Sequence, residues 1–213
     1  YSKPDTVRAA GQFLTTVAAL LSSAAALFWG LAHGYWLALL FALPAAFFMV
    51  RLFIIQHDCG HGSYFRSSRV NDALGTILGI VTMMPYAAWR RDHAMHHATC
   101  GNLARRGIGD VTTLTVDEYR ARSRWQRFLY RLYRHPLVLF VVGPAYVLLV
   151  RYRLPLASSF RDRRSWFSIL STDSVAAALG TGLALLVGPV IFLAGWGTVL
   201  LLASAIGVWF FYV

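Results

Sequence analysis

The sequence predicts an all-α membrane protein with two transmembrane helical hairpins, that is four spans, and with interfacial or re-entrant helices between them. Of its 213 residues 57% are hydrophobic, and the mean hydropathy is +0.53, whereas ordinary soluble domains are about 45–50% apolar. The apolar residues are gathered in runs near the ~20 residues that cross a bilayer as a helix. Of the 20 basic residues, 18 lie between Arg51 and Arg164.

The first hairpin is predicted at residues 13–55, where two apolar runs are separated only by His33 and Gly34. The aromatic residues at this turn fit the belt that tryptophan and tyrosine form at membrane surfaces. Residues 1–12 are polar and contain Pro4, so we expect them to lie at the surface ahead of the first span.

Residues 56–173 are predicted to form a cytosolic and interfacial region. Their first apolar run, 73–89, is long enough for a short span. A crossing here would place two histidine clusters, at 57–61 and 93–97, on opposite faces of the membrane. If these clusters share a site, the run must be re-entrant or interfacial, and we predict that it is.

Two later segments of this region are also expected to stay near the membrane surface. Residues 120–134 interleave six arginines with aromatic and leucine side chains, which is the pattern of a helix lying in the headgroup plane. Residues 136–150 are apolar but short, contain Gly143 and Pro144, and are followed by further arginines. They are therefore predicted to dip into the membrane rather than cross it.

The second hairpin is predicted at residues 175–213, with Gly195 in its turn and no basic residue. With two hairpins every lysine and arginine falls on one face of the membrane, as the positive-inside rule requires of a cytoplasmic face. Loops that face anionic lipid headgroups account for the net charge of +11 better than a nucleic-acid surface does. We therefore expect membrane lipids, and no nucleic acid, as partners.

Five of the seven histidines lie in two clusters, HDCGH at 57–61 and HAMHH at 93–97. Residues i, i+3 and i+4 lie on one face of a helix, so each cluster can direct its imidazoles at one point. Neutral imidazole is the commonest protein ligand for iron, zinc, copper and nickel. Five such ligands exceed the needs of one tetrahedral zinc and suit a two-metal site that takes further ligands from elsewhere. The candidate ligands are His57, His61, His93, His96 and His97.

Two acidic residues, Asp58 and Asp92, stand beside clustered histidines. A carboxylate in that position can accept the second ring N–H of a metal-binding imidazole and fix its orientation. His33 and His135 stand alone and are assigned no role.

The sequence around both clusters resembles the membrane-bound fatty acid desaturase superfamily, whose members carry histidine boxes. HDCGHGSYF at 57–65, HAMHHAT at 93–99 and RRGIGDV at 105–111 are similar to bacterial acyl-lipid desaturases of the omega-6, or delta-12, type. The similarity extends over essentially the whole chain, so residues 1–213 are interpreted as a single desaturase domain.

This resemblance implies a non-haem enzyme with two iron ions that uses O₂ to introduce a cis double bond into a long acyl chain. It implies electrons from ferredoxin or a cytochrome b5-type donor, and an acyl group carried by a glycerolipid, CoA or acyl-carrier protein. His57 and His61 would be first-box ligands, and His93, His96 and His97 second-box ligands. The expected location is a bacterial inner membrane, with the boxes on the cytoplasmic side.

The family also has a third histidine box, usually after the last hairpin, and the sequence stops before it. We expect the remaining metal ligands to lie beyond Val213 and the fragment alone to be inactive.

Three alternatives differ in the chemistry they assign to the histidines. A hydroxylase or ketolase acting on alkanes, sterols or carotenoids has similar boxes but inserts oxygen. An intramembrane zinc peptidase would use the His57 and His61 spacing, but it needs a glutamate where Asp58 stands. A bis-histidine haem carrier would place its ligands inside facing spans rather than at span ends.

Overall fold

The computed structural model describes residues 4–106, 111–154 and 162–212. Within these ranges the chain forms helices, turns and no strand. Its α-helices are α1 (Thr6–Ala32), α2 (Ala42–Gly60), α3 (Ser68–Val81), α4 (Tyr86–Thr99), α5 (Val116–Ala121), α6 (Arg124–Tyr133), α7 (Gly143–Tyr146), α8 (Arg163–Val187), α9 (Pro189–Phe192) and α10 (Thr198–Tyr212). Residues 107–110, part of the third resemblance motif, lie outside the described residues.

Shorter helical segments connect these elements. The 3₁₀-helical segments are Trp36–Phe41 and Leu103–Arg105. The π-helical segments are Val138–Val142, Val147–Arg151 and Leu193–Gly197.

The predicted four spans are confirmed in number and pairing. The described residues contain four helical stretches that are long and apolar enough to cross a membrane: Thr6–Ala32, Trp36–Gly60, Arg163–Val187 and Pro189–Phe210. The first two and the last two are each joined by a tight connection, so they form the two predicted hairpins. The protein is therefore an all-α membrane protein.

The first span begins seven residues earlier than predicted, at Thr6 instead of residue 13. The Asp5 carboxylate accepts hydrogen bonds from the backbone N–H groups of Val7 at 3.0 Å and Arg8 at 3.1 Å. These bonds satisfy donors that a helix N-terminus otherwise leaves free. Residues 6–12 thus belong to the first helix and not to a segment ahead of it.

The turn of the second hairpin lies at Gly188, so the prediction of Gly195 is wrong. Gly188 has a φ of +93°, which is accessible to glycine without steric cost, and Pro189 occupies the first turn of the next helix, where its missing N–H is no loss. Gly195 lies within the fourth span, where an added Cβ would come within 2.9 Å of the Phe28 ring. Its small size serves helix packing.

The second span is the centre of the bundle, because α2 packs against α1, α3 and α10. Its alanines at 42, 45 and 46 are fully buried, and such small side chains let neighbouring helices approach closely in a membrane. The C-terminal end of α2, which carries the first histidine cluster, is also packed, since Ile55, Gln56 and Cys59 are buried.

The apolar run 73–89 does not form a span, as predicted. It is divided between α3 and α4, which have 14 residues each and are too short to cross a bilayer. A turn at residues 82–85, here called the α3–α4 turn, separates them. Because the chain does not cross here, α4 returns to the end of α2.

The predicted amphipathic helix is present as α6. Its N-terminus has a capping box formed by Ser123 and Gln126, and its apolar side chains Trp125, Phe128 and Leu129 are exposed, as expected of a helix at a membrane surface. The following apolar segment, Val138–Arg151, is bent from α6 by 55°. If this bent pair is one span, the described chain has five.

Candidate metal centre

The first part of the site is the last turn of α2. His57 lies inside this turn, and His61 is the residue at which the helix ends. Between them, Cys59 is buried, and a Cβ on Gly60 would come within 2.9 Å of the Trp89 ring. The glycine therefore allows α4 to approach α2 at the level of the histidines.

The second part of the site is α4, which begins directly after Pro85. Trp89 stacks on His93 one turn later, with ring centroids 4.7 Å apart and planes 16° apart. The same indole ring lies 5.8 Å from the ring of His57. The Trp89 ring thus lies between α2 and α4 and contacts a histidine of each helix.

Four imidazoles meet where the two helices approach each other. The Nε2 atom of His61 lies 3.3 Å from that of His57 and 3.1 Å from that of His93, and the Nε2 atoms of His93 and His97 are 3.0 Å apart. One nitrogen from each of the four rings lies within 4.8 Å of all the others. We call His57, His61, His93 and His97 the histidine cluster.

This arrangement fits a bound metal ion. Nitrogens about 2.1 Å from one metal, at angles of about 90–109°, lie about 3.0–3.4 Å apart, and the shortest Nε2 separations in the cluster are 3.0–3.3 Å. A donor set made only of imidazoles suits iron, copper, nickel or zinc and not magnesium or calcium. The cluster is therefore suited to a transition metal.

The fifth predicted ligand, His96, lies beside the histidine cluster. Its ring centroid is 6.0 Å from that of His93 and 5.6 Å from that of His97, and it does not belong to the group of four converging rings. Its assignment as a ligand stays a prediction.

The surroundings favour neutral imidazoles. Burial, followed by the neighbouring His57 and His97, lowers the pKa of His93 to about 4. The pKa of His61 is also lowered, again first by burial and then by the same two histidines. Both rings are therefore uncharged at pH 7, and the neutral form is the one whose lone pair binds a metal.

The two predicted orienting carboxylates have different partners. Asp58 Oδ1 lies 3.1 Å from Nδ1 of His57, so it can accept the ring N–H opposite the cluster. Asp92 is buried and accepts from Arg91 at 2.9 Å, while Arg151 lies 4.0 Å from its other oxygen. The orienting roles of both residues stay predictions.

The two solitary histidines lie apart from the cluster in the described structure. Nδ1 of His33 is 2.7 Å from the carbonyl oxygen of Trp29, and Nδ1 of His135 accepts from the backbone N–H of Leu137 at 3.3 Å. Their local bonds agree with assigning them no role at the metal site.

Several residues that hold α4 in place were not predicted from the sequence. Asp72 of α3 accepts from the Tyr86 hydroxyl at 3.1 Å and from Arg90 at 2.7 Å. Arg91 donates to Asp162 at the start of α8, and Ser168 of α8 accepts from a backbone N–H of α4 at 3.1 Å. These partners are 14 to 81 residues apart, and no local pattern links them.

Fold and site together define a class of protein. It is an integral membrane protein with four apolar spans, in which one span and an adjoining short helix bring four histidines to one point.

Comparison with known proteins identifies the family within this class. The family model described as fatty acid desaturase matches residues 34–213, and the chain belongs to the fatty acid desaturase family. It is 38% identical over all 213 residues to a fatty acid desaturase of Bacillus subtilis (strain 168), and covers 60% of that protein.

More distant relatives have more specific names. Over 183 residues, 84% of the chain, it is 28% identical to a ferredoxin-dependent sn-1 acyl-lipid omega-3 desaturase of Synechocystis, of which it covers 49%. The chain thus spans about half to three-fifths of the length of these two curated relatives. No solved structure matches it. Family membership leaves the peptidase and haem-carrier alternatives without support.

Proposed function

We propose that the protein is an O₂-dependent fatty acid desaturase that introduces a cis double bond into a long acyl chain. The observation that carries this proposal is the convergence of four imidazole nitrogens within 4.8 Å in a chain of the desaturase family. Bound iron would supply the activation of O₂ that is needed to remove hydrogen from an unactivated methylene group.

The residues of the histidine cluster would hold the metal in this proposal. Their neutral rings contribute lone pairs without adding negative charge, and Asp58 would orient His57 through its Nδ1. We propose two iron ions, the second using His96 and further ligands outside these five histidines. The exposed apolar side chains of the spans and the position of the first histidine box at the end of α2 support a site that an acyl chain in the bilayer can reach.

The substrate and electron donor are proposed from the relatives' names and from the location. Two relatives are named as ferredoxin-dependent acyl-lipid desaturases, so we propose an acyl-lipid substrate and a ferredoxin-type donor. A cytochrome b5-type donor, or acyl-CoA or acyl-carrier protein as substrate, would satisfy the same site. These two relatives are named as omega-3 desaturases, whereas the sequence motifs resemble the omega-6 type, so the position of the double bond is left to the product analysis described below.

The proposed location is a bacterial inner membrane, with the histidine cluster on the cytoplasmic side. Cys100 can serve as a labelling site for this test, because it is exposed directly after α4 while Cys59 is buried. A membrane-impermeant maleimide should label Cys100 in inverted vesicles and not in intact spheroplasts, with Cys100→Ser as the control. Equal or stronger labelling in spheroplasts would place the cluster on the outer side.

The proposed activity is tested by the fatty acid profile of a host that expresses the complete reading frame. Gas chromatography with mass-spectrometric location of double bonds should find a new unsaturated acid with the wild-type protein and none with His57→Ala. Hydroxylated or keto products would instead assign the protein to oxygen insertion. Unchanged lipids at good expression would contradict a role in acyl-chain oxidation.

A further inference from the structure

Gln56 is a fully buried amide inside the apolar second span, directly before His57. Its Nε2 donates to the carbonyl oxygen of Met84 at 3.0 Å, and its Oε1 accepts from the Thr82 hydroxyl at 2.7 Å. A backbone carbonyl can only accept, so the first contact fixes which end of the amide carries the NH₂ group. Both ends of the side chain are therefore bonded to the α3–α4 turn.

The α3–α4 turn has a strained backbone. Met83 has a φ of +57° and is the only described residue other than glycine with a positive φ. This left-handed conformation is costly for a residue with a side chain, and it persists where surrounding contacts determine it. Here the Met84 N–H donates to Gly79 at 2.8 Å, and a Cβ on Gly79 would come within 2.6 Å of the Met84 oxygen.

A second side chain fixes the same turn from another direction. Arg153 donates to the carbonyl oxygen of Met83 and to the carboxylate of Asp173 in α8. The turn is thus held from α2 through Gln56 and from α8 through Arg153. Because α4 begins directly after Pro85, the position of this turn determines where α4 starts.

We propose that Gln56 is a positioning residue that sets α4 relative to α2, so that the four imidazoles of the histidine cluster converge. The inference rests on the proposed metal-dependent function and deepens it. An apolar side chain could fill the same space without burying an amide, but it would have no directional bond to the turn. Gln56 therefore links the helix that carries His57 and His61 to the start of the helix that carries His93 and His97.

The test is cobalt(II) binding to the purified protein, expressed from its complete reading frame. Cobalt(II) alone serves as the probe, and its visible absorption reports the geometry of its ligands. Gln56→Met keeps the volume and removes both hydrogen bonds, so it should weaken cobalt binding about 10–100-fold, the range for residues that orient metal ligands, and change the absorption band. Thr82→Val should weaken binding in the same direction, whereas Thr82→Ser, which keeps the hydroxyl, should bind as wild type.

The matched control is Thr16→Val in α1. Thr16 is as buried as Gln56, and its hydroxyl donates to the Gln12 carbonyl at 2.6 Å, outside both the cluster and the turn. This variant should lower thermal stability and leave the cobalt affinity and spectrum unchanged. If Gln56→Met lowered thermal stability but left the cobalt affinity and spectrum unchanged, Gln56 would have only a structural role and the proposal would be overturned. Equal cobalt affinities of Thr82→Val and Thr82→Ser would also overturn it.

The outcome separates this inference from the proposed function. Weakened cobalt binding in Gln56→Met, with no new unsaturated acid from the wild type, would support the positioning role and reject desaturation. Unsaturated product from the wild type, with normal cobalt binding in Gln56→Met, would reject the positioning role alone. A wild-type protein that binds no cobalt would overturn the positioning role, while the proposed function would still be decided by the fatty acid product.

Discussion

His93→Ala should abolish formation of the unsaturated product and lower the affinity for metal at least about a hundredfold, beyond the effect of losing an orienting neighbour. His93 has the largest expected effect because its Nε2 lies 3.1 Å from that of His61 and 3.0 Å from that of His97. It therefore links the rings from α2 to the rings from α4. Product is measured by the fatty acid profile, and metal content by elemental analysis of the purified protein.

The matched control for His93→Ala is His33→Ala. His33 is exposed, and its ring contacts Trp29 within the first hairpin, so its loss should leave both measurements near wild type. Normal iron content and product in His93→Ala would contradict the assignment of the cluster as the metal site.

Asp58→Ala should mainly lower metal affinity, whereas Asp92→Ala should mainly lower stability. Asp58 can accept from Nδ1 of His57, so its loss should weaken metal binding about 10–100-fold. Its side chain is 44% exposed, so the thermal stability should change little.

Asp92 pairs with Arg91 and its side chain is only 10% exposed. Its loss leaves a partly buried guanidinium with fewer partners and should cost about 1–3 kcal/mol of stability, with a smaller effect on affinity.

Cobalt titration and thermal unfolding of the same two preparations make this comparison. The pair is informative because both carboxylates stand next to a clustered histidine in the sequence. If Asp92→Ala loses more affinity than Asp58→Ala, Asp92 is the residue that orients the metal ligands.

The spans and the histidine clusters could be predicted because both are local properties of the sequence. Hydropathy sums over neighbouring residues, and a spacing of three or four residues fixes which side chains share a helical face. The failed boundaries depend on single contacts. The first helix starts early because Asp5 caps it, and the second hairpin turns at Gly188, where one backbone angle decides the path.

The residues that position the cluster could not be predicted for a different reason. Gln56 lies one residue beyond the predicted end of the first hairpin, and its partners in the α3–α4 turn are 26 and 28 residues away. Arg91 and Asp162 are 71 residues apart. Such pairs form only after the helices have packed, so spacing along the chain gives no sign of them.

The contacts between α4 and α8 also set an order of assembly during protein synthesis. Ala87 of α4 is bound by Ser168, which lies 81 residues later, and ribosomes add about 5–20 residues per second. The segment carrying the second histidine box therefore leaves the ribosome roughly 4–16 s before its α8 partner does. Until the second hairpin has inserted, the nascent chain has its histidines but lacks the contacts that α8 makes with α4. Metal loading of the native site is thus expected to follow membrane insertion of the second hairpin.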